Sequence, residues 1–129
     1  MLVRETSEGL IDIKQLTAEL KNIRNLFPLT QIIGCFSAAS NVTGVLSDVS
    51  GITELLHSFN ALSFWDYACA APYVRLEMNP VISKGAYKDA IYFSGHKFVG
   101  GPGTPGITKA FHDDFDYILI FCYFQVFWL

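Results

Sequence analysis

The 129-residue chain is poor in charge. Asp, Glu, Lys and Arg make up 16% of it, and nine basic against twelve acidic residues leave a net charge of −3. No basic cluster occurs, which argues against nucleic acid as a partner, because phosphate binding needs concentrated positive charge. Cysteine is scarce as well. Cys35, Cys69 and Cys122 are odd in number, widely spaced and form no Cys-x-x-Cys pair. They offer neither a disulfide framework nor zinc-ligand spacing, so a reducing compartment, the cytoplasm by default, is expected. The start, Met1-Leu-Val-Arg-Glu, has no apolar run behind a basic region, and no secretory signal is read there. No internal repeat or flexible linker divides the chain. Hydrophobic residues make up 51% of it, ample apolar surface for an ordered domain.

The apolar periodicity is that of an α/β protein. Ile13, Leu16, Leu20 and Ile23 mark one helical face between Ile11 and about Leu26. Asp12 with Gln15 has the spacing of a capping box, and Pro28 stops the helix. Leu29–Phe36 reads as a buried strand, and Ser37–Gly44 as a small, polar loop. Val49, Ile52, Leu55, Leu56 and Phe59 form a second helical face within Asp48–Phe59. Ala61–Trp65 follows as a strand ending at Asp66. Strand, loop, helix and strand together make a βαβ unit, which implies parallel neighbours joined by a right-handed crossover. A third strand is expected at Ala90–Ser94, and a Gly/Pro-rich loop at Gly100–Gly106.

In open α/β sheets, ligands bind beyond the carboxyl ends of the strands. The residues expected there are Ser40, Asn41 and Thr43 after the first strand, Asp66 after the second, and Ser94-Gly95-His96-Lys97 after the third. Asp66 follows the apolar Phe64-Trp65, where a carboxylate is costly unless paired. A lysine after a buried strand loses solvation, which favours the neutral amine that Schiff-base chemistry needs. An Asp and a Lys at the ends of adjacent strands suggest pyridoxal 5'-phosphate. That cofactor takes a lysine at its aldehyde and a carboxylate at its pyridine nitrogen, and needs donors for its phosphate, here Ser94 and His96. The bland alternative is that Asp66 caps a turn, Lys97 is a solvated loop residue and His96 packs locally.

The runs SNVTGVLSDVSGITELLHSFNALSFWDYACAAPY and YFSGHKFVGGPGTPG resemble class V aminotransferases, the cysteine-desulfurase-like group of fold type I pyridoxal-phosphate enzymes. The resemblance covers roughly Leu2–Thr108. It implies a partial three-layer α/β sandwich with a mainly parallel sheet, part of the large domain of such an enzyme. It implies action on an amino acid through a Lys97 aldimine, and the family suggests a homodimer. By resemblance Lys97 matches the Schiff-base lysine and Asp66 the pyridine-nitrogen partner. Asn41 matches an asparagine on the ring-hydroxyl side, and Ser94 and His96 match phosphate-binding positions.

The chain also departs from the pattern. The family's Asp-Ala-Ala-Gln is here Asp66-Tyr67-Ala68-Cys69, so a thiol replaces an amide, and Cys69 is expected to be a small packed residue. The glycine-rich phosphate loop, the ring-stacking residue and the substrate-binding arginine of longer family members have no counterpart here. The alternative to an enzyme is therefore a truncated, catalytically inactive fragment that at most associates with a partner. The match fades near Thr108, so residues 1–108 are read as the partial large domain and 109–129 as an atypical tail not native to it. Residues 115–129, FDYILIFCYFQVFWL, hold seven of the nineteen aromatics. Their uncharged part, Tyr117–Leu129, falls short of the ~20 residues of a membrane-spanning helix, so no span is expected. His57 is expected to be a polar surface residue, and Cys35 an inert strand residue. His112 with Asp113, Asp114 and Asp116 is read as a solvated segment rather than a metal cluster.

Overall fold

A computed structural model describes residues 1–81, 83–101 and 103–110. The tail expectations, including the His112 cluster and Cys122, lie outside the described residues. Helix α1 (Ile13–Leu26) is capped by Asp12, whose Oδ1 accepts the Gln15 N–H at 3.0 Å. The capping box is half formed. The Asp12 N–H is already bonded to Arg4 O at 3.0 Å, and Gln15 Oε1 instead accepts the Arg4 N–H at 2.8 Å.

Strand β1 (Ile32–Ser37) begins three residues later than the apolar run suggested. Leu29 is 98% exposed. The Arg24 guanidinium draws the Pro28 and Thr30 carbonyls, each at 2.9 Å, into a turn before the strand. Helix α2 (Val49–Ser58) starts at Asp48, whose Oδ1 accepts the Gly51 N–H at 3.0 Å. Strand β2 (Ala61–Asp66) returns beside β1, and β3 (Ala90–Ser94) lies beside β2. Both pairings are parallel, with Ser37, Asp66 and Tyr92 in register at the carboxyl end. A 3₁₀ turn, Gly95–Lys97, follows β3.

Strand β4 (Gly106–Ala110) was not foreseen. It pairs antiparallel with β3, Ser94 opposite Gly106 and Ala90 opposite Ala110, and so runs past Thr108. Nothing in Gly-Ile-Thr-Lys-Ala marks a strand, since every residue of it is exposed. It is held by backbone pairing to β3.

Both helices pack on one face of the sheet. Leu16 and Leu20 of α1, Ile52 and Leu56 of α2, and Trp65 and Ile91 of the sheet are each at most 2% exposed and share one cluster. Trp65 Nε1 donates to Thr53 Oγ1 at 2.9 Å, so burying the indole leaves no unmet donor. Gly34 lets the leucine approach, because a Cβ there would stand 2.6 Å from Leu56 Cδ2. By strand alternation Phe64, Asp66, Tyr92 and Ser94 project from the other face. Phe64 and Tyr92 make a tilted ring contact there at 6.2 Å. Cys35 shares that face through its register with Phe64 and is exposed rather than buried.

His57 is not a surface histidine. It is half-buried, with Nδ1 2.7 Å from Gly85 O, Nε2 2.9 Å from Asp89 Oδ2, and its ring stacked on Tyr87 at 4.2 Å. Asp89, 2% exposed, also accepts the Ser63 N–H at 2.8 Å and the Ser63 hydroxyl at 3.0 Å. Ser83 donates to Glu54 on the same helix. The segment before β3 is thereby strapped to α2. Among the described residues no helix is long and apolar enough to cross a membrane.

Candidate functional site

The loop after β1 is closed on itself. Ser40 N–H donates to Val45 O at 2.9 Å and Gly44 N–H to Ser40 O at 3.0 Å, while Ser40 Oγ accepts the Thr43 N–H at 3.1 Å. This small cycle presents Asn41 at its tip. On the far side of β2, the Gly95–Lys97 turn presents Lys97. Its Nζ donates to Asn41 Oδ1 at 2.9 Å, joining residues 56 apart in sequence. Lys97 is half-buried.

The turn carrying Lys97 depends on the glycine-rich loop. A Cβ on Gly101 would collide with the Gly95 carbonyl oxygen, and one on Gly95 would stand 2.6 Å from Thr104 Oγ1. Only glycine allows these two backbone segments to meet. The Phe98 N–H closes the turn onto Gly95 O at 3.1 Å, and the Thr104 hydroxyl donates to Gly101 O at 2.7 Å.

Asn41 and Lys97 face a cavity of about 710 Å³, lined also by Ser40, Thr43, Cys69 and Tyr73. Its size suits a small aromatic ligand. Cys69 is half-buried, and its thiol donates to Ala39 O at 3.2 Å. It is thus both a packed residue and part of the wall. Asp66 lies three residues before Cys69 but does not line this cavity. Its Oδ1 accepts the Ala68 N–H at 2.7 Å, the turn-capping contact that was the bland alternative, and Oδ2 has no hydrogen-bond partner among the described residues. Ser94 makes no side-chain capping bond at the 3₁₀ turn, and His96 is exposed. The structure therefore joins Asn41 to Lys97 directly. It keeps Ser94 and His96 on the lysine's own turn and sets Asp66 on the strand between. No group of three His, Cys, Asp or Glu side chains among the described residues could hold a metal.

A family model described as Aminotransferase class-V matches residues 2–108. The chain belongs to this family. Among solved structures, it resembles a NifS-like protein from Rickettsia africae at 21% identity and TM-score 0.65, over 84% of this chain and 28% of that one. It resembles a cysteine desulfurase from Thermococcus onnurineus at 21% identity and TM-score 0.64, over 89% of this chain and 25% of that one. Mouse CSAD matches at 10% identity and TM-score 0.65, over 84% of this chain and 23% of that one. No curated protein sequence matches the chain. The chain spans about a quarter of the length of these structures. At such identities the likeness is one of fold, and the class-V aminotransferase fold has the mainly parallel α/β sheet read from the periodicity.

Sequence reasoning found the strand-end residues by a topological rule. It missed Arg24, Tyr67, Lys88 and Asp89, which act through contacts with distant segments. Tyr67 and Lys88 are 5% and 4% exposed. Burial pushes the Tyr67 phenol up to about 12. Burial lowers the Lys88 ammonium, with the Glu77 charge opposing it.

Proposed function

We propose that this chain forms the cofactor-holding part of the large domain of a pyridoxal-phosphate enzyme acting on an amino acid. The observation that carries the reading is the Lys97–Asn41 contact at 2.9 Å on the wall of a ring-sized cavity at the carboxyl end of the sheet. The donor set fits the group. Lys97 offers an amine for its aldehyde, and Asn41 an amide for the ring-hydroxyl side. Asp66 keeps one carboxylate oxygen unpartnered for a pyridine nitrogen. Ser94 and His96 supply donors for its phosphate. When bound, the cofactor supplies an electron-accepting ring in conjugation with the substrate's α-carbon.

The chain's own residues have separate tasks. Asn41 holds Nζ at one point and so orients the amine. Lys97, once its amine is released, takes the proton from the substrate α-carbon and returns it. Asp66 keeps the ring nitrogen charged through ion pairing. The family resemblance supports a homodimer.

The test is chemical. The protein is incubated with pyridoxal 5'-phosphate, reduced with borohydride and digested, and the labelled peptide is identified by mass spectrometry. Label on Lys97, lost in Lys97→Ala, is the expected result. Label absent from Lys97 overturns the proposal. A thermal titration with the cofactor separates this from the inactive-fragment reading. Saturable stabilisation following mass action supports cofactor binding, and no shift supports a chain that at most associates with a partner.

A further inference from the structure

A second cavity, of about 340 Å³, opens at the first turn of α2, and no residue is common to its lining and that of the Lys97 cavity. Two largely buried residues in its wall, Lys88 and Tyr67, keep hydrogen-bonding capacity that their neighbours among the described residues do not use. Lys88, 4% exposed, has three ammonium protons to place. Its Nζ has one hydrogen-bond partner among the described residues, the Glu77 carbonyl oxygen at 2.7 Å. Among the described residues it makes no ion pair. The Tyr67 hydroxyl, on a residue 5% exposed, has no hydrogen-bond partner among the described residues. A buried ammonium without a counter-charge in contact is costly, and the Tyr67 hydroxyl lines the wall with its donor free for a ligand.

The nearby carboxylates do not fill the role. Asp48 uses its carboxylate to cap the Gly51 N–H at 3.0 Å. Glu77 pairs with Arg75 at 2.6 Å. Both carry negative charge beside the cavity, and the Arg75 guanidinium, which lines it as well, offsets part of that charge. Helix α2, ten residues long, points its positive end into the same space, and Ser50 in its first turn lines the wall. We propose that this cavity binds a small oxyanion, a carboxylate or a phosphate, held between Lys88 Nζ and the Tyr67 hydroxyl at the start of α2. The raised Tyr67 phenol keeps its proton at neutral pH and is available to donate it.

The site is tested by titrating the ¹⁵N-labelled protein with inorganic phosphate at constant ionic strength, and separately with acetate, while amide shifts are followed. Saturable shifts at Ser47–Ser50, Tyr67 and Lys88 are expected with at least one of the two. Saturation with phosphate alone assigns a tetrahedral anion, and saturation with acetate assigns a carboxylate. Shifts confined to Gly95–Lys97 would report the proposed cofactor site instead, and would overturn the second site while leaving the first intact. Lys88→Met is expected to weaken binding at Ser47–Ser50 roughly tenfold or more, the range for a hydrogen bond to a charged group. Tyr67→Phe, which keeps the packing should Lys88→Met fail to fold, is expected to weaken it roughly two- to tenfold. Unchanged affinity in Tyr67→Phe, or no saturable shift at Ser47–Ser50 with either ion, overturns the proposal.

Discussion

Arg24, in the last turn of α1, ties together the points where two strands begin. Its Nε and Nη2 donate to Phe59 O at 3.1 and 2.7 Å, and Nη2 also to Asn60 O at 3.1 Å. Its Nη1 donates to Pro28 O and Thr30 O at 2.9 Å each. Phe59 is the C-cap of α2, so the guanidinium closes that helix at its negative end. Thr30 and Asn60 stand just before β1 and β2, whose first paired residues are Ile32 and Ala61. Arg24→Ala removes all of these at once. The Pro28, Thr30 and Asn60 bonds are exposed, and water replaces them at little cost. The Phe59 carbonyl is part-buried, and losing charged donors there costs about 1.5–3 kcal/mol. The lost helix-end charge adds about 0.3–1 kcal/mol. The expected loss is therefore about 2–4 kcal/mol, a large share of the roughly 5–15 kcal/mol typical of a domain. In melting temperature that is on the order of 10 °C. Arg24→Lys keeps the charge but cannot fork to divergent carbonyls, so it should recover only the smaller part. Urea unfolding followed by far-ultraviolet circular dichroism measures both variants. An alanine variant within about 0.5 kcal/mol of the wild type, well short of the expected loss, would refute the reasoning, as would a lysine variant as stable as the wild type.

The raised Tyr67 phenol makes a pH prediction. The unfolded phenol titrates near 10 and the folded one at about 12, so its contribution is intact below pH 10 and is lost as pH rises towards 12. At about 1.4 kcal/mol per unit the loss approaches 3 kcal/mol. Absorbance at the tyrosinate band should show a late-titrating tyrosine that Tyr67→Phe removes, and its absence in the wild type would contradict the burial argument. Asp89→Ala strips the acceptor from the Ser63 N–H, on a residue 0% exposed, and takes the carboxylate from His57 Nε2. A loss of about 3–5 kcal/mol is expected, with faster hydrogen exchange at the Ser63 amide, and Asp89→Asn should lose less because it keeps an acceptor. Gly101→Ala should displace the Gly95–Lys97 turn and lower borohydride labelling of Lys97. Gly34→Ala, which crowds Leu56 at a cost of about 1–3 kcal/mol, should leave that labelling unchanged. Equal labelling in the two variants would show that the glycine loop does not position the lysine.

How much was legible follows from the range of each signal. Helix α2 and strands β2 and β3 came within a residue or so of their bounds, because each has a caps-and-period or apolar-run signal contained in its own residues. β1 was drawn too long because Leu29 is apolar. What turns it outward is Arg24, whose hold on Pro28 and Thr30 exists only once α1 is in place. β4 has no signature because its order comes from pairing with β3, a distant partner. His57 looked like an ordinary helix-surface residue, and its partner Asp89 lies 32 positions away. Tyr67 and Lys88 carry no local mark either. Their significance is burial, which is a property of what surrounds them.

The convergence of Asn41 and Lys97 was foreseen for a different reason. In a parallel sheet of order β1-β2-β3, every carboxyl end lies on one rim, so the residue types that follow each strand are brought together whatever their sequence separation. The loops after β1 and β3 are two strand spacings apart, roughly 10 Å. A lysine extended from one side and an asparagine at a loop tip on the other can span that gap only by passing over the end of β2. The register puts Asp66 there, level with Ser37 and Tyr92. The amine, the amide and the carboxylate are therefore related by strand order before any side-chain contact is considered. The contacts decide the rest. The Lys97–Asn41 bond ties the amine to the amide across 56 residues, and the Asp66–Ala68 cap engages one oxygen of the carboxylate. On the proposed reading, a bound ring would compete with Asn41 for Lys97 and would leave the Asp66–Ala68 cap in place.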